Sequence, residues 1–438
     1  MSINIVFNKS KNDKHYIDLV LSNVSTPLAN GIRRILLNDL PIVGFDMNDV
    51  NIINNKTSLH NEYISHRMSL IPIDNHPFEI KSYFDFSDNI RKYQFIKDID
   101  TFTLDIKNNN SFDNSNNYIK VKSNDIKIND KIANEYFKPD LVFTDSQEYI
   151  LITYLKVNKN YAEEIKLECN PSIHIAKYNA SYNPTGTVTY NFVKESEEVL
   201  NKKYQEYLEY IKKERKMKMK DNNKIKQYTT EELKEIKKDF MLLDSDRIYK
   251  KDKYYFKIES VGNLYPYELL LNSIVLYQLK LIDLLSNIKL RDKTLYFHKN
   301  ITLSKDKNNY KLNINNEDHT LGNVISDYIY RIYESSFVDN CSYKIIHPLK
   351  DNILISIDLK EDLDELDNTQ KVFYYDKEYN INYLENPNNY IIYIFEYSIL
   401  EIIKHLNILK NIVSKEYSIK HTFKIDKYDK IENIININ

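Results

Sequence analysis

The feature that most constrains the fold of this chain is the segment Leu21–Ile73, which reads LSNVSTPLANGIRRILLNDLPIVGFDMNDVNIINNKTSLHNEYISHRMSLIPI. Ser25 and Thr26 can cap a helix, and Pro27 suits its first turn because its missing N–H would be unpaired there anyway. Pro41 ends the helix, since the residue before a proline avoids the helical conformation. The segment therefore predicts a helix over 26–40 that leads directly into a strand.

The helix predicted over 26–40 carries an apolar stripe with a basic pair at its edge. Arg33 and Arg34 form the pair, and the apolar side chains recur at helical spacing. The members of the stripe are Leu28, Ile32, Ile35 and Leu36. From periodicity alone this is an amphipathic helix of a soluble domain, and the two arginines are either surface charges of little energetic value or contacts for a partner.

The residue string is more specific than its periodicity. It resembles the signature of the α-type subunits of multisubunit RNA polymerases: the bacterial α subunit, the archaeal D subunit and the third-largest subunit of eukaryotic RNA polymerase II. In that family a helix with a double arginine precedes a proline-bounded turn, a strand and a His/Glu segment that ends in HR-x-x-LIP. The matching positions here are Arg33, Arg34, Pro41, Glu62, His66, Arg67, Leu70, Ile71 and Pro72.

A second helix of the same kind is predicted over 318–332. A capping cluster precedes it, and one of its faces is apolar. The residues of that face are Leu321, Val324, Ile325, Tyr328, Ile329 and Ile332. Placing Leu28 on Leu321 also places Asn30 on Asn323 with one constant offset, which indicates an internal repeat.

The segment after this second helix resembles the small partner of the α-type subunit. Cys341–Leu359 reads CSYKIIHPLKDNILISIDL and is similar to the Y-K-x-x-HPL strand pair of the archaeal L and eukaryotic eleventh-largest subunits. One chain is therefore expected to carry both halves of an α-like heterodimer.

Two further segments resemble the larger α-type subunit. Ile165–Phe192 is similar to its return into the first framework, and Tyr254–Ile288 to its final strand and long helix, here expected over 267–288. A closing helix is expected over 396–413. Ile274 and Leu281 lie on the apolar face of the first of these helices, and Ile402 and Leu406 on that of the second.

The resemblance implies an α+β fold with two dimerisation domains, each a four-stranded antiparallel sheet plus two helices, the first interrupted by a mostly β inserted domain. We refer to residues 1–289 and 290–438 as the first and second halves. The first dimerisation domain is expected to consist of two segments, 1–48 and 165–289, with a charged helical excursion over 194–253. The inserted domain is expected over 49–164, and the second dimerisation domain over 290–438, with an insertion over 360–390.

The charged excursion mixes Lys and Glu at helical spacings, which predicts a solvated pair of helices with Thr230 capping the second. A nucleic-acid patch over Lys212–Lys220 is the alternative, although neighbouring Glu residues dilute its field. The charge of the whole chain gives no support to general DNA binding, because 61 Lys and Arg oppose 63 Asp and Glu.

Metal, disulfide and membrane functions find little support in the sequence. The two cysteines, Cys169 and Cys341, cannot build a four-thiolate site. Some relatives hold a metal-binding cysteine cluster near the position of Ser82–Tyr93, but this stretch has no cysteine, so we expect no metal there. His60, His66 and His76 do not have the spacing of a ligand set and are better interpreted as exposed or hydrogen-bonded side chains. Purely apolar runs are far shorter than the roughly 20 residues that cross a bilayer, so no membrane contact is expected.

The glycines point to close packing. Only five occur, and Gly31 and Gly322 lie inside predicted helices, where glycine costs about 1 kcal/mol relative to alanine. A close approach of another helix would explain both.

No catalytic constellation is present: there is no phosphate-binding glycine loop, no nucleophile elbow and no aspartate triplet for magnesium, and no cofactor is expected. The resemblance instead implies a non-catalytic assembly platform, in which the paired halves nucleate the joining of the two largest, catalytic subunits of a DNA-directed RNA polymerase. The second-largest subunit is expected on the first half, at Arg33, Arg34, His66 and Arg67, and the largest on the second half. Other small polymerase subunits are further expected partners, DNA is met only through the complex, and no homo-oligomer is expected.

Fused chains of this type are expected in large cytoplasmic DNA viruses, and the abundance of Asn, Ile, Lys and Tyr suits an AT-rich genome. The expected locations are the host cytoplasm, in the viral factory, and the virion. A competing hypothesis is a viral structural or regulatory protein that uses the same fold to bind partners without polymerase. A third is a metal-dependent nuclease that uses His60, Glu62 and His66.

Overall fold

The computed structural model describes most of the chain. The described residues are 3–8, 15–84, 91–95, 98–109, 118–137, 148–157, 161–218, 228–291, 294–297, 300–336, 338–360, 375–376, 381–382 and 387–417.

The helices within the described residues are α1 (Thr26–Asn38), α2 (Asn61–Ser69), α3 (Glu197–Lys218), α4 (Thr230–Asp239), α5 (Pro266–Ser286), α6 (His319–Tyr333) and α7 (Pro387–Glu416). Three of the helices with predicted bounds, α1, α5 and α6, begin and end close to the predicted positions. α7 starts nine residues before the predicted 396–413 helix and so takes up the end of the expected insertion over 360–390.

The strands form antiparallel sheets and ribbons. They are β1 (Asn4–Phe7), β2 (Tyr16–Ser22), β3 (Pro41–Asn55), β4 (Ile80–Phe84), β5 (Arg91–Phe95), β6 (Phe102–Lys107), β7 (Tyr118–Lys122), β8 (Lys127–Ile128), β9 (Lys131–Ile132), β10 (Leu151–Lys156), β11 (Glu164–Ile175), β12 (Thr185–Lys194), β13 (Tyr249–Ser260), β14 (Ile288–Arg291), β15 (Thr294–Phe297), β16 (Ile301–Asp306), β17 (Asn309–Asn315), β18 (Val338–Ile345), β19 (Asn352–Leu359), β20 (Tyr375–Asp376) and β21 (Ile381–Asn382).

Each half contains the four-stranded sheet that the resemblance implied. The first has the order β1-β2-β13-β12 and the second β16-β17-β19-β18, with antiparallel neighbours throughout. β17 and β19 alternate buried and partly exposed side chains, so one face of the sheet is turned to the core. The α+β fold with two such domains is confirmed.

Local sequence explains where the two central helices begin. The Ser25 hydroxyl accepts a hydrogen bond from the Leu28 N–H of α1 at 3.3 Å, and the Asp318 carboxylate accepts one from the Thr320 N–H of α6 at 2.8 Å. Each cap satisfies a backbone donor that has no partner inside its helix.

The inserted region grows out of the first half on a long ribbon. β3 pairs with β11 from Pro41 opposite Ile175 to Asn55 opposite Ile165, within a five-stranded sheet of order β3-β11-β6-β8-β9. β3 therefore runs without a break through the boundary expected between residues 48 and 49. One continuous core joins this region to both halves.

The charged excursion is a pair of helices, as predicted, and it interrupts the β12–β13 hairpin, where Lys194 lies opposite Tyr249. The predicted cap of α4 was wrong by one residue. Thr229, not Thr230, accepts the hydrogen bond from the Glu232 N–H, and the Glu232 carboxylate accepts one from the Thr229 N–H. The excursion has a small core of its own, formed by Tyr204, Leu208 and Phe240.

α5 is the one helix, among the residues that the structure describes, that is long and apolar enough to cross a membrane. Most of it is buried inside the protein. Its length and composition are therefore accounted for by its place in the core.

Candidate assembly interface

The two halves meet along four helices. α1 contacts α5 and α6, and α7 contacts α5 and α6. We call the surface where α1 and α5 of the first half meet α6 and α7 of the second half the seam. All twelve residues predicted for the dimerisation helices are buried: Leu28, Ile32, Ile35, Leu36, Ile274, Leu281, Leu321, Val324, Ile325, Tyr328, Ile402 and Leu406.

Tyr277 of α5 lies at the centre of the seam. Its hydroxyl donates a hydrogen bond to the Thr320 carbonyl of α6 at 2.9 Å, and the side chain is fully buried. The ring rests on Gly31 of α1, where an added Cβ would lie 2.7 Å from the ring atom Cε1. Gly31 thus permits the close helix approach that was predicted. Burial raises the pKa of the Tyr277 hydroxyl well above its usual value, so it stays a hydrogen-bond donor.

Gly322 has a different neighbour from the one predicted. An added Cβ there would lie 2.7 Å from the Tyr343 ring atom Cδ2, and Tyr343 belongs to β18. The close approach at Gly322 is therefore that of the second half's own sheet and not of another helix.

A charged contact crosses the seam beside Tyr277. The Arg34 guanidinium donates to the Asp318 carboxylate at 3.2 Å through Nη2 and to the Thr320 hydroxyl at 3.0 Å through Nε. Burial alone would raise the pKa of Asp318. The hydrogen bonds from Thr320 and the charges of Lys280 and Arg34 outweigh it and hold that pKa well below its usual value, so the carboxylate is ionised.

The far end of the seam is closed by α7. The Gln278 side chain of α5 donates to the Ile403 carbonyl of α7 at 3.4 Å. Tyr417, which follows α7, stacks on Tyr267 of α5 with ring centroids 4.6 Å apart and meets Phe7 of β1 edge-on at 5.1 Å. The last helix of the second half therefore ends against the first half.

A buried ion pair fixes the two helices that the first half brings to the seam. The Lys280 ammonium of α5 contacts the Asp39 carboxylate at the C-terminal end of α1, and both side chains are less than a tenth exposed. Breaking such a pair by removing one partner leaves an uncompensated buried charge, so it resists any sliding of α5 along α1.

The four residues predicted to contact the second-largest subunit occupy different environments. Arg33 is partly exposed and donates to Asn30 of its own helix, whereas Arg34 is engaged in the seam. His66 and Arg67 lie on the exposed side of α2, and the Arg67 guanidinium donates to the Ile152 carbonyl of β10 at 2.6 Å. A contact of these residues with another subunit stays a prediction.

The structure also contains a charged cluster that the sequence pattern did not reveal. His76 lies between two buried carboxylates: its Nδ1 contacts Asp74, and its Nε2 lies 2.9 Å from Glu268 in the first turn of α5. Burial alone would lower the pKa of His76, but the two carboxylates outweigh it and raise the pKa to about 9. A protonated His76 therefore holds the segment after α2 onto the start of α5.

No arrangement for catalysis or metal binding emerges in the part of the chain that the structure describes. No group of three or more His, Cys, Asp and Glu side chains there could hold a metal ion. His60 caps α2 and does not converge with His66 on a site. The side chains over Ser82–Tyr93 lie outside the described residues, so the expected absence of a metal there stays a prediction.

Two family models match the chain, and both describe the RNA polymerase Rpb3/Rpb11 dimerisation domain. One covers residues 18–279, which is more than half of the chain, and the other covers residues 309–373. The first match begins in β2 and ends in α5, and the second begins in β17 and includes α6 and the β18–β19 pair.

Individual relatives agree with these models. The chain is 26% identical to the DNA-directed RNA polymerase II subunit rpb3 of Dictyostelium discoideum over 298 residues, which is 63% of this chain and 91% of that protein. It is 23% identical over 308 residues to the subunit 3 of DNA-directed RNA polymerases II, IV and V of Arabidopsis thaliana, covering 64% and 89% of the two chains. A shorter match, 36% identical over 61 residues, covers 14% of this chain and a fifth of the RPB3 subunit of Schizosaccharomyces pombe RNA polymerase II.

Proposed function

Because the chain belongs to the family of α-like RNA polymerase subunits built on the Rpb3/Rpb11 dimerisation domain, we propose that it is a non-catalytic assembly platform in which the two halves of one chain act as a preassembled pair. The seam carries this proposal, since two copies of the family's dimerisation domain meet there through Tyr277 on Thr320 and Arg34 on Asp318.

Fusion makes this pairing independent of subunit concentration. A bimolecular step between two subunits becomes an intramolecular one when both halves share a chain, and the effective concentration is then set by the short connection between them. The proposed platform would therefore form as soon as the chain folds, before the large subunits bind.

We assign the second-largest polymerase subunit to the first half and the largest to the second half. Arg33, His66 and Arg67 are the proposed contacts that are not engaged in the seam. Arg34, whose side chain is about a quarter exposed, would contribute alongside its bond to Asp318. Arginine suits such contacts because its planar guanidinium binds carboxylates with two parallel hydrogen bonds. DNA would be met only through the assembled enzyme.

We place this platform in the transcription machinery of a large DNA virus, acting in the host cytoplasm and carried in the virion. The fusion of two dimerisation domains and the composition rich in Asn, Ile, Lys and Tyr support this assignment. A test is to locate the protein by mass spectrometry of purified virions and of cytoplasmic fractions from infected cells.

Affinity purification of the tagged full-length chain from cells that produce the other subunits tests the platform. We expect two very large subunits to copurify with the wild type and the second-largest to be lost selectively with Arg33→Glu. Arg215→Glu, in the charged excursion, is the matched control and should recover both. Recovery of a folded wild-type chain without large subunits would favour the polymerase-independent binding protein and overturn the platform.

A further inference from the structure

The two halves repeat each other with a constant offset of 293 residues. Tyr16 begins β2 and Asn309 begins β17, and both strands are seven residues long. The residue after each of these strands adopts a left-handed backbone conformation, with φ of 61° at Asn23 and 62° at Asn316. The same offset relates the N-caps of α1 and α6, so it can be used to compare their charges position by position.

At two positions of the central helices, the offset relates residues whose charges differ between the halves. Arg34 of α1 corresponds to Asp327 of α6, and Ser25, the N-cap of α1, corresponds to Asp318, the N-cap of α6. Arg34 reaches across the seam to Asp318. The charge at these positions is therefore not shared by the two halves, although the fold is.

Two other ion pairs join the halves beside the seam, and they are alike in sign. Arg331 of α6 lies 3.5 Å from Asp252, and Lys177 lies 3.1 Å from Asp351. Asp252 and Asp351 occupy corresponding positions. The residue after Asp252 pairs with the last residue of β2, and the residue after Asp351 pairs with the last residue of β17. The Lys177 N–H donates a hydrogen bond to the carbonyl of Asn38, and Asn38 of α1 corresponds to Arg331 of α6. In each half a cation thus lies near the C-terminal end of the central helix, α1 or α6, and an acid lies near its N-terminal end.

These two pairs cannot tell one half from the other. If two first halves met, Lys177 of one would find Asp252 of the other, and two second halves would bring Arg331 to Asp351. Attraction would survive in either case, so the choice of partner has to come from a contact that changes when like halves pair.

We propose that Arg34 and Asp318 are the specificity determinants that make unlike halves pair. In a pair of second halves each Asp318 would face Asp327 in place of a guanidinium. Arg331 of the same helix donates to Asp327 at 2.9 Å and offsets part of the repulsion between the two carboxylates, but no cation stands at the position of Arg34 itself. In a pair of first halves each Arg34 would face Ser25, which carries no charge. Only the pairing of a first half with a second half brings Arg34 to Asp318. The partner is thus selected by attraction in the unlike pair and by repulsion in a pair of second halves.

This proposal rests on the proposed function in one respect, since the seam is taken as the pairing surface. Its consequence is that the chain avoids joining to its own copies through like halves. Pairing of like halves would join copies of the chain to one another, and a charge rule at the seam counters it. Exchange of unlike halves between two chains keeps the contact of Arg34 with Asp318 and is the pairing that a cross-capture experiment can follow.

Two single variants of the full-length chain test the rule. Arg34→Glu places an acid against Asp318, and Asp318→Lys places a base against Arg34, so each variant has like charges in its own seam. Between chains the charges are complementary, because the introduced acid of one variant meets the introduced base of the other, and the unchanged Asp318 and Arg34 meet in the same way. When the two variants are co-expressed with different tags, we expect about fivefold more cross-capture than with either variant paired with itself.

The control pairs Arg33→Glu with Asp318→Lys. It has the same charges and the same loss of the α6 cap, but Arg33 contacts Asn30 of its own helix and not the other half. A chain carrying both Arg34→Glu and Asp318→Lys should regain the unfolding temperature lost by Arg34→Glu, apart from the loss of the α6 cap, and should show the low cross-capture of the wild type.

The proposal would be overturned if the control pair were cross-captured as strongly as the Arg34→Glu and Asp318→Lys pair. It would also be wrong if the doubly substituted chain regained its stability while the two single variants showed no preference for each other, because the ion pair would then only stabilise the seam. All these measurements use the purified chain without other subunits. The charge rule can therefore fail while the large subunits still copurify. The large subunits can likewise fail to copurify while the charge rule holds.

Discussion

The seam and the charged excursion are both built from packed helices, but they are held in different ways. The seam belongs to the continuous core, and its polar groups are engaged across the two halves. The charged excursion has its own core of three buried side chains, and its sequence mixes Lys and Glu. Since hydrophobic stabilisation scales with apolar area at about 25 cal/mol per Å², the seam should carry global stability and the excursion only its own.

The largest expected effect compares two tyrosines in these regions. Tyr277→Ala removes a fully buried ring and its hydrogen bond to Thr320, and we expect it to lower the free energy of unfolding by about 4 kcal/mol. Tyr204→Ala, the matched change in the excursion, should leave the main transition unchanged within about 0.5 kcal/mol. Urea unfolding followed by circular dichroism measures both. Equal losses would mean that the excursion and the seam unfold as one unit.

The next effect depends on pH and concerns the contact of His76 with the start of α5. His76 has its pKa raised from 6.5 to about 9, so its stabilising charge is fully present below pH 6.5 and is lost as the pH rises through 9. We expect His76→Gln to cost about 3 kcal/mol at pH 6 and much less at pH 10.

Unfolding curves of wild type and His76→Gln across pH 6–10 measure this difference. His66→Gln is the control, since it makes the same substitution at an exposed position of α2. A cost for His76→Gln that stays constant with pH would show that the neutral ring and not the charge holds Asp74 and Glu268 in place.

A smaller effect compares two glycines. Gly31→Ala puts a methyl group 2.7 Å from the Tyr277 ring, and overpacking of this kind should cost about 2 kcal/mol and weaken the seam. Gly186→Ala in β12, the strand that leads into the excursion, would meet Glu259 at an ordinary 3.4 Å and should be neutral within about 0.5 kcal/mol. Thermal unfolding measures both variants. A neutral Gly31→Ala would show that α1 and α5 can move apart at low cost.

Local signals were enough to predict the start of α1 and its buried face, whereas contacts between distant parts of the chain were not predictable. Ser25 and Pro27 start α1 by interactions within one turn, and the apolar stripe of α1 was correctly predicted to be buried. The role of Arg34 depends on Asp318, 284 residues away, and that of His76 on Glu268, 192 residues away. A single sequence contains no signal for such pairs, because they exist only once the sheets and helices have been brought together.

The sequence does contain the signal for the cap of α4. Glu232 lies three residues after Thr229, which is the spacing of a capping box, whereas the residue three positions after Thr230 is Leu233. The correct cap of α4 could therefore have been read directly. The continuation of β3 past residue 48 could not have been read in this way: β3 continues because its partner β11 continues, and the register of a distant strand is not written in the local sequence.

The smallest expected effect follows from this cap and belongs to the excursion alone. Thr229→Ala removes the hydroxyl that accepts from the Glu232 N–H, and loss of an N-cap costs about 1 kcal/mol of helix stability. Because α4 packs on α3 through the small core of the excursion, this loss should appear as faster amide hydrogen exchange over residues 230–239 and leave the exchange of α1 and α6 unchanged. Thr230→Ala is the control and should not change exchange in α4. If Thr229→Ala accelerated exchange in α6 as well, the excursion would be coupled to the seam, and the separation between the two regions would have to be abandoned.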